Sequence, residues 1–458
     1  MLERICFSCR ARISLRRTKG RKFHVSAAMG LQFDYKFVKE NSDSVIKNCI
    51  DRKMPDAAAS VPRIIALYNT YAENRTRLNE LNHARNNLTD RIQKADKDKR
   101  LELLEEAREI KPEINTLTFV LLQQESELTA LTYALPNDVE ELNPVGPQEN
   151  ARTIKIIQPD RKDIVDEPRD HFQLARDFDL LDIVSAAQTT GHAWYFLKNE
   201  AVLLEQALIQ FVLQKAIANG YLPLTCPSVI RRNILDCCGF QPRDRASHVY
   251  AIEGTDLCLS GTAELPMAGM FKDHMFQYSD LPRRYVGVGK AFRREAGSRG
   301  LESKGLYRVH EFTKLELFAW SRKDESEQAF DDMIELQANI INSLELHARI
   351  IQMPSEELGA PAFKKWDIEV WMPGRGDYGE VSSTSHCTDY QSRRLNIRYS
   401  KDGSKPEFVH TLNGTAAAIP RLLVAIIENG WDKENDLIQF PAVLKPWMGT
   451  ISTIRRKK

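Results

Sequence analysis

Two consecutive segments carry a heptad pattern of apolar residues, and this pattern constrains the fold more than any other feature of the sequence. The seam of the first segment consists of Ile64, Leu67, Tyr71, Asn74, Leu78, Leu81, Arg85, Leu88, Ile92 and Ala95. The seam of the second segment consists of Leu103, Ala107, Ile110, Ile114, Leu117, Leu121, Gln124, Leu128, Leu131 and Leu135. A 3.5-residue period is typical of helices that pack as a coiled coil. Because only the polar residues 94–100 separate the segments, the pattern predicts an antiparallel helical hairpin.

Each helix of this hairpin would be about 50 Å long, at roughly 1.5 Å per residue. Pro112 lies off the seam, and we expect it to kink or locally break the second helix.

Two functions fit such a hairpin: an oligomerisation coiled coil, or an arm that contacts an anionic partner. The second is favoured by a set of basic residues, although charge on a helix is often only solvated. These residues are Arg75, Arg77, Arg91, Lys94, Lys97, Lys99 and Arg100.

The overall composition excludes several classes of protein. The 458 residues include 64 Lys and Arg against 63 Asp and Glu, so bulk positive charge cannot hold a nucleic acid, although a local basic face can. No stretch approaches about 20 apolar residues, so we predict no membrane span. Of the eight cysteines, only Cys6 and Cys9 form a CxxC, and no second pair completes it. We therefore expect no structural zinc.

The first 30 residues differ sharply from the rest of the chain. They hold eight Lys and Arg residues against the single acid Glu3. A basic, nearly acid-free segment with Ser and apolar residues is typical of a mitochondrial transit peptide, so we expect a protein of the mitochondrial matrix. A basic tail that contacts RNA is the alternative interpretation. Met29 offers an internal start for a leaderless, cytoplasmic form.

Residues 134–150 contain three prolines and read as a linker. Beyond it, strand-like runs rich in β-branched and aromatic residues alternate irregularly with helical patterns. The predicted strands are 284–293, 312–320, 364–372 and 393–400, and the predicted helices are 194–220, 325–346 and 415–429. Strands and long helices without a regular βαβ rhythm predict an α+β domain around an antiparallel sheet.

Charged residues are concentrated on one side of two strand-like runs between residues 292 and 318. Strand alternation places at or near one face Arg293, Glu295, Arg308, His310, Phe312, Lys314 and Glu316. Cations and carboxylates together fit a zwitterionic or phosphate-bearing substrate, whereas a solvated outer strand face is the alternative. The sequence "GVGK" at 287–290 lacks the spacing of a phosphate-binding loop.

A second polar group follows further along the chain. It comprises Glu380, Ser382, Ser383, Asp389, Gln391, Arg393 and Arg394. We expect residues 413–415 to form a polar turn before an apolar helix that carries one arginine, Arg421. An arginine in such a helix is costly unless it meets an anion.

Taken together, these segments resemble the class II aminoacyl-tRNA synthetases, and specifically the seryl-tRNA synthetase family. After the hairpin and its closing "LPN", the resemblance runs through "GYLPLTCPS", "GTAELP", "FRREAGS", "GLYRVHEF", "DIEVWMPG", "EVSS", "QSRRLNIRY" and "TLNGTAAAIPRLLVAIIEN". One such motif is weak, but their joint order and spacing are highly specific. The class I strings HIGH and KMSKS do not occur.

The resemblance implies a fold and a reaction. The fold is α+β: a six- or seven-stranded antiparallel class II sheet with flanking helices, preceded by the hairpin. It divides the chain into a transit peptide (1–30), a tRNA-binding domain with the arm (31–140) and a catalytic domain (141–458). Serine and ATP would give seryl-adenylate, from which serine passes to tRNA(Ser) bound by the hairpin. The family also implies a homodimer.

Site residues carry over from the family position by position. ATP would be bound by Arg293, Arg294, Glu295, Val309, Phe312, Glu380, Val381, Ser382, Ser383 and Arg421. Serine would be bound by Thr262, Ala263, Glu264, Arg293, Glu316, Asn413 and Thr415. Arg293 and Arg421 would be catalytic, the first at the α-phosphate and the second at the γ-phosphate. Glu295 and Phe312 would bind adenine, and Glu380 and Ser383 would hold Mg²⁺.

Three departures from the family pattern affect these expectations. Pro420 replaces a glycine and could displace Arg421, residues 384–386 read "TSH", and residues 235–244 match poorly in what we interpret as a neutral loop. Two alternatives to an active member of this family stay open. One is a catalytically inactive paralogue that binds RNA or acts as a scaffold, and the other is a ligase that charges a carrier protein. The hairpin argues against the carrier-protein ligase, and the intact Arg293, Glu380 and Arg421 argue against the inactive paralogue.

Overall fold

The computed structural model describes residues 33–161, 165, 167–240, 249–294, 305–401 and 403–456, with the backbone alone at Lys97. The expected transit peptide, Met29 and the CxxC pair lie outside the described residues. The α-helices are α1 Tyr35–Glu40, α2 Ser42–Asp51, α3 Pro55–Lys94, α4 Lys97–Tyr133, α5 His171–Asp177, α6 Val184–Thr189, α7 Glu200–Ala218, α8 Arg232–Cys237, α9 Glu264–Met270, α10 Ser326–Ser343, α11 Tyr390–Leu395 and α12 Ile419–Asn429.

The strands are β1 Arg152–Ile157, β2 Leu181–Asp182, β3 Phe196–Leu197, β4 Leu222–Thr225, β5 Val229–Arg231, β6 Leu257–Leu259, β7 Met275–Gln277, β8 Arg283–Phe292, β9 Glu311–Ser321, β10 Ala348–Gln352, β11 Lys364–Met372, β12 Asp377–His386, β13 Arg398–Ser400, β14 Glu407–Phe408, β15 His410–Ala418, β16 Trp431–Asp432, β17 Leu437–Ile438 and β18 Ile454–Arg455.

The predicted hairpin is confirmed. The helices α3 and α4 pack along their length, and the chain reverses at Ala95 and Asp96, whose carboxylate caps α4 by accepting from the Lys99 amide at 3.1 Å. The seam residues are buried or partly buried except Arg85, and Asn74 donates across the seam to Gln124 at 3.2 Å. The register therefore follows the heptads.

The expected break at Pro112 is wrong, because α4 is continuous through it. Proline has no amide hydrogen to donate to the carbonyl four residues earlier. Pro112 and Arg108 are both exposed, so that carbonyl can bond to water instead. A proline on the solvent side of a long helix is tolerated for this reason.

The central sheet has eight strands, in the order β1-β10-β11-β12-β15-β9-β8-β4, rather than the expected six or seven. Neighbouring strands are antiparallel except β4, which runs parallel to β8. One face packs on α7, α10 and α12 in the main hydrophobic core. The opposite face carries α8, α9 and α11 over a smaller core. A mostly antiparallel sheet with helices on both faces is the predicted α+β class.

Two local predictions are wrong. Residues 413–415 are not a turn but lie inside β15, which is buried along its whole length, so α12 begins only at Ile419. Residues 393–400 are not one strand, because α11 ends at Leu395 and Asn396 adopts a left-handed conformation before the short β13. In both places tertiary packing overrides the local pattern.

The helix α7 is long and apolar enough, by length and composition, to cross a membrane. It is the one such helix among the described residues. Leu204, Leu208 and Phe211 are buried against the sheet, as expected of a core helix. Three of its large apolar residues, Val202, Leu203 and Ile217, are exposed.

Candidate active site

A pocket of about 420 Å³ opens on the face of the sheet opposite the main core. Its volume lies in the usual range for small-molecule sites. Charged side chains of both signs line it: Arg293, Arg308, Lys314, Lys365, Arg421, Glu264, Glu316, Glu357 and Glu380. Such a mixed lining fits a ligand that carries both an ammonium group and anionic groups.

The alternation of β9 explains why these charges meet in the pocket. Leu315 and Leu317 point into the main core, whereas Phe312, Lys314 and Glu316 lie on the other face and line the pocket. The charged face predicted from the sequence is therefore a lined cavity, not a solvated outer surface. Burial makes this arrangement costly unless the charges pair. Lys314 and Glu316 do pair, at 2.5 Å.

Arg293 follows the last residue of β8 and lies on the pocket wall beside Phe312. Its Nε donates to the main-chain oxygen of Gly261 at 3.2 Å, and its guanidinium carbon lies 5.4 Å from the centre of the Phe312 ring. The side chain is half-buried and lines the pocket. A guanidinium held in this way presents a planar donor fork to an anion.

Arg421 lies in the first turn of α12. Its Nη1 donates to the main-chain oxygen of Glu380 at 2.9 Å, and its Nε donates to that of Tyr307 at 3.3 Å. Pro420, one residue earlier, lies in the first turn of α12, where an amide hydrogen would have no partner within the helix. Arg421 lies on the pocket wall beside it.

Glu380 and Ser383 of β12 line the same side of the pocket. Burial alone raises the pKa of Glu380, but the positive charges of Arg421, Lys365 and Arg293 outweigh it and lower the pKa below the usual carboxyl range. Although it lies deep in the site, 41% of its side chain faces the open pocket. Glu380 therefore offers an ionised oxygen to a ligand.

A second set of polar residues forms the other end of the pocket. Lys314 Nζ donates to Thr262 Oγ1 at 3.2 Å, and Thr262 Oγ1 donates to Glu316 Oε2 at 3.3 Å. Glu264 begins α9 and accepts from Gln391 at 2.7 Å and from Asn413 at 3.2 Å. Glu264 is partly buried and the other groups are buried, and all of them are mutually paired, so their geometry is fixed before a ligand binds.

Glu264 is the most perturbed carboxyl group of this end of the pocket. Burial, and then the negative charge of Glu316, raise its pKa to about 7. The carboxyl group is thus poised between its neutral and ionised forms near neutral pH. A cationic ligand would stabilise the ionised form.

Most of the predicted site residues meet in this pocket: Arg293, Val309, Phe312, Glu380, Val381, Ser383, Arg421, Thr262, Glu264, Glu316, Asn413 and Thr415. Glu295 lies outside the described residues. Arg294 is exposed and is not on the pocket wall. Ala263 is buried behind it, and Ser382 is buried and donates to the Thr415 carbonyl at 2.5 Å. These two support the wall rather than form it.

His310, expected on the charged face, does not line the pocket, although its Nδ1 lies 3.0 Å from the main-chain oxygen of Arg293. Its ring stacks on Trp194 and its Nδ1 is 2.7 Å from the hydroxyl of Tyr250. The segment expected to be a neutral loop also differs, because Cys238, Gly239 and Phe240 line the pocket. Residues 241–244 of that segment lie outside the described residues.

Sequence reasoning missed two polar residues that shape the site. Lys365 of β11 lines the pocket and pairs with Asp367 at 3.0 Å. Gln337 of α10 donates to the main-chain oxygens of Ser383 at 3.2 Å and Thr415 at 3.0 Å, which ties β12 to β15. The sequence holds no local signal for either residue, because only the packing of the sheet places them at the site.

Residues 33–139 match the family model of the seryl-tRNA synthetase N-terminal domain, and residues 249–430 match that of the tRNA synthetase class II core domain (G, H, P, S and T). The serine--tRNA ligase of Treponema denticola is 39% identical over 420 residues, which cover 91% of this chain and 98% of that protein.

Two further similarities extend this result. The mitochondrial serine--tRNA ligase of Saccharomyces cerevisiae is 40% identical over 360 residues, which cover 78% of this chain and 80% of that protein. The crystal structure of seryl-tRNA synthetase from Pyrococcus horikoshii complexed with ATP superimposes with a TM-score of 0.85 at 34% identity. The match covers 93% of this chain and all (100%) of that chain.

Proposed function

The chain belongs to the seryl-tRNA synthetase family, and from this premise we propose that it is a serine--tRNA ligase acting in two steps. In the first step a serine carboxylate oxygen attacks the α-phosphorus of ATP, which forms seryl-adenylate and releases pyrophosphate. In the second step a ribose hydroxyl of the terminal adenosine of tRNA attacks the seryl carbonyl and releases AMP. The observation that carries this proposal is one pocket with anion-binding arginines at one end and buried carboxyl groups at the other.

We assign the arginine end of the pocket to ATP. Arg293 would lie between the serine carboxylate and the α-phosphate and neutralise charge that develops during attack. Arg421 would bind the γ-phosphate, and Phe312 would stack on adenine. Val309, Val381 and Arg294 complete the proposed ATP contacts, with Glu295 on the adenine amino group and Ser382 behind the wall. This chemistry needs positioning and charge stabilisation rather than a general base.

Magnesium fits the remaining donors. Glu380 supplies an ionised oxygen and Ser383 a hydroxyl on the same strand, and Mg²⁺ prefers hard oxygen ligands. Among the residues that the structure describes, no three His, Cys, Asp or Glu side chains form a metal-binding group. Two protein oxygens with phosphate and water oxygens are the usual set for nucleotide-bound Mg²⁺. The ion would neutralise phosphate charge.

The carboxyl end of the pocket is assigned to serine. Glu264 and Glu316 would attract the ammonium group, and Thr262, Asn413 and Thr415 would surround the side chain, with Ala263 behind them. A pocket built to hydrogen-bond a hydroxyl rejects alanine, because the buried polar groups would be left unpaired. Selection would therefore rest on this first recognition step.

The hairpin α3–α4 is proposed to bind tRNA(Ser). The exposed Arg91, Lys94, Lys99 and Arg100 lie at and near its tip, where they can contact RNA phosphates without base readout.

The test of the proposed ligase activity is charging of a serine tRNA transcript with labelled serine by the full chain. Accumulation of seryl-tRNA that depends on ATP supports the ligase, and absence of any charged product contradicts it.

A homodimer is proposed from the unpartnered apolar residues on one side of the catalytic domain. Val202, Leu203 and Ile217 of α7 and Leu222 of the edge strand β4 are exposed. Exposed apolar groups on one helix and the adjoining sheet edge are typical of an interface between subunits. Light scattering tests this proposal. We expect the mass of a dimer for the wild type and the mass of a monomer for a Leu203→Glu variant.

A mitochondrial location is proposed from the basic leader and from the yeast relative that carries this designation. The proposed boundaries follow: transit peptide 1–30, tRNA-binding domain 31–140 and catalytic domain 141–458. Cell fractionation with N-terminal sequencing of the mature protein tests both. The inactive-paralogue alternative is not favoured, because Arg293, Glu380 and Arg421 all line one pocket.

A further inference from the structure

A buried histidine and a buried glutamate lie behind the ATP end of the pocket and have no role so far. His171 begins α5 and Glu428 lies near the end of α12, with 6% and 1% of their surfaces exposed. The Glu428 Oε1 atom lies 2.9 Å from His171 Nδ1 and accepts from the His171 amide at 3.0 Å. Its other oxygen, Oε2, accepts from the Gly374 amide at 2.9 Å.

The second ring nitrogen of His171 faces the main chain. The Leu306 amide lies 3.2 Å from His171 Nε2 and can only donate. Nε2 must therefore accept, which leaves the proton on Nδ1, where it is donated to Glu428. The glutamate thus fixes both the tautomer and the orientation of the ring.

Gly305, next to Leu306, shows how closely the main chain approaches this ring. Its φ is +64°, and a Cβ atom at this position would lie 2.1 Å from His171 Nε2. Only glycine allows this approach at low cost. The contact thereby fixes the chain just before Tyr307, Arg308 and Val309, all of which line the pocket.

The fixed segment reaches Arg421 through Tyr307. The Tyr307 carbonyl accepts from Arg421 Nε at 3.3 Å, and the Arg421 guanidinium carbon lies 4.7 Å from the centre of the Tyr307 ring. Glu428 lies on the same helix as Arg421, two turns further on. A continuous path therefore runs from α12 through Glu428, His171 and Tyr307 back to the arginine.

We propose that His171 and Glu428 are positioning residues that hold segment 305–309 and, through Tyr307, set Arg421 for the ATP phosphates. Neither side chain lines the pocket, so they act on ATP binding through Arg421 and leave the serine end of the pocket unchanged. This inference rests on the proposed function, because it assigns a purpose to the same ATP site.

Two substitutions of His171 separate its two bonds. An asparagine amide reaches the Nδ1 position and keeps the bond to Glu428, whereas a glutamine amide reaches the Nε2 position and keeps an acceptor for Leu306. For His171→Asn we expect Kd and KM for ATP to rise about tenfold, the effect of losing roughly one buried hydrogen bond. For His171→Gln we expect a rise of less than about threefold on the same scale. The KM for serine stays unchanged in both.

The matched control is His347→Asn. His347 is also buried and also bridges two groups, the Gln158 carbonyl at 2.9 Å and the Tyr378 hydroxyl at 2.7 Å, but it is not on the pocket wall. Calorimetric titration with ATP and pyrophosphate-exchange kinetics are measured on all four proteins. The control should lose thermal stability as His171→Asn does, yet keep the wild-type Kd for ATP.

The inference is overturned if His171→Asn binds ATP as tightly as the wild type. It is equally overturned if the KM values for ATP and serine rise together and His347→Asn does the same, because the role is then only structural. A wild type that binds ATP but shows no exchange contradicts the proposed ligase, while the ATP titrations still decide the role of His171.

Discussion

The guanidinium of Arg421 lies 3.4 Å from the carboxylate of Glu380, and the same Nη1 donates to the Glu380 carbonyl at 2.9 Å. A residue of α12 and a residue of β12 thus hold each other at the pocket wall. The pair orients the arginine and keeps the carboxylate ionised, which fits their proposed roles at the nucleotide and its metal.

Arg421→Lys tests whether the guanidinium fork matters beyond its charge. Lysine keeps the positive charge but cannot donate to Glu380, Tyr307 and a phosphate at once. We expect kcat/KM for ATP in pyrophosphate exchange to fall about 100-fold, the usual effect of removing one transition-state donor. Arg349→Lys is the control, because Arg349 pairs with Glu369 at 2.7 Å outside the pocket. Equal losses in both variants would contradict the assignment.

The pKa of Glu264 makes serine binding depend on pH. Burial and Glu316 raise this pKa to about 7, so the carboxyl group becomes neutral as the pH falls through 7 and no longer attracts the serine ammonium group. The KM for serine should therefore rise toward low pH, by up to about tenfold per pH unit. In Glu264→Gln the KM should be high and should not vary between pH 5.5 and about 7.5, a window around that pKa. Parallel pH profiles in the two proteins would refute the role of Glu264.

How much of this site the sequence could predict differs from residue to residue. The heptads set the hairpin and its register, because side-chain periodicity is local information. The alternation of β9 correctly brought Phe312, Lys314 and Glu316 to one face. Residues 413–415 were misread as a turn because Asn and Gly favour turns locally, whereas burial on both sides of β15 decides their conformation.

Contacts that join distant segments could not be read from the sequence. Gln337 lies on α10, and only the packing of this helix on the sheet brings it to its partners in β12 and β15. Lys365 reaches the pocket because β11 pairs with β12, which carries Glu380 and Ser383. The same is true of Ala263 and Ser382, which family resemblance placed at the ligand and the structure places behind the wall.

A shortened hairpin separates tRNA binding from adenylate formation. Deleting residues 80–93 and 98–111 removes two heptads from each helix, so the arm loses about 21 Å while its seam stays in register. Asp96 remains as the N-cap residue, with the amide of Glu113 in the place of that of Lys99. The base of the arm packs in its own core around Tyr35, Val61 and Leu128, which this deletion spares. We expect unchanged pyrophosphate exchange.

The same variant should charge tRNA at least about 100-fold less efficiently, which corresponds to two lost charged contacts at roughly 1.5 kcal/mol each. The measurement is kcat/KM for tRNA with the wild type as reference. Charging at the wild-type rate would contradict the proposed role of the hairpin, and loss of exchange would mean that the deletion damaged the catalytic domain.

The N-terminal helices also support the wall of the pocket, through Arg52. This arginine is 1% exposed, and its guanidinium donates to the carbonyls of Asn137 at 2.6 Å, Gly359 at 2.6 Å and Ala362 at 3.2 Å. Residues 359–362 line the pocket. Arg52→Met should lower the thermal midpoint, because carbonyls lose their donors, and should raise the substrate KM values several-fold.

Arg322→Met is the matched control for Arg52→Met. Arg322 is buried and donates to the carbonyls of Tyr278 at 3.0 Å and Leu281 at 2.5 Å, away from the pocket. We expect a similar loss of stability with unchanged KM values. If both variants change KM alike, Arg52 acts on stability alone.

The central claim is that one pocket brings the serine carboxylate to the α-phosphorus of ATP. Amino-acid-dependent exchange of labelled pyrophosphate into ATP by the full chain, without tRNA, tests it directly. We expect exchange with serine, strong discrimination against alanine, and loss of exchange in Arg293→Met. The claim is contradicted if no amino acid supports exchange, or if Arg293→Met exchanges as fast as the wild type.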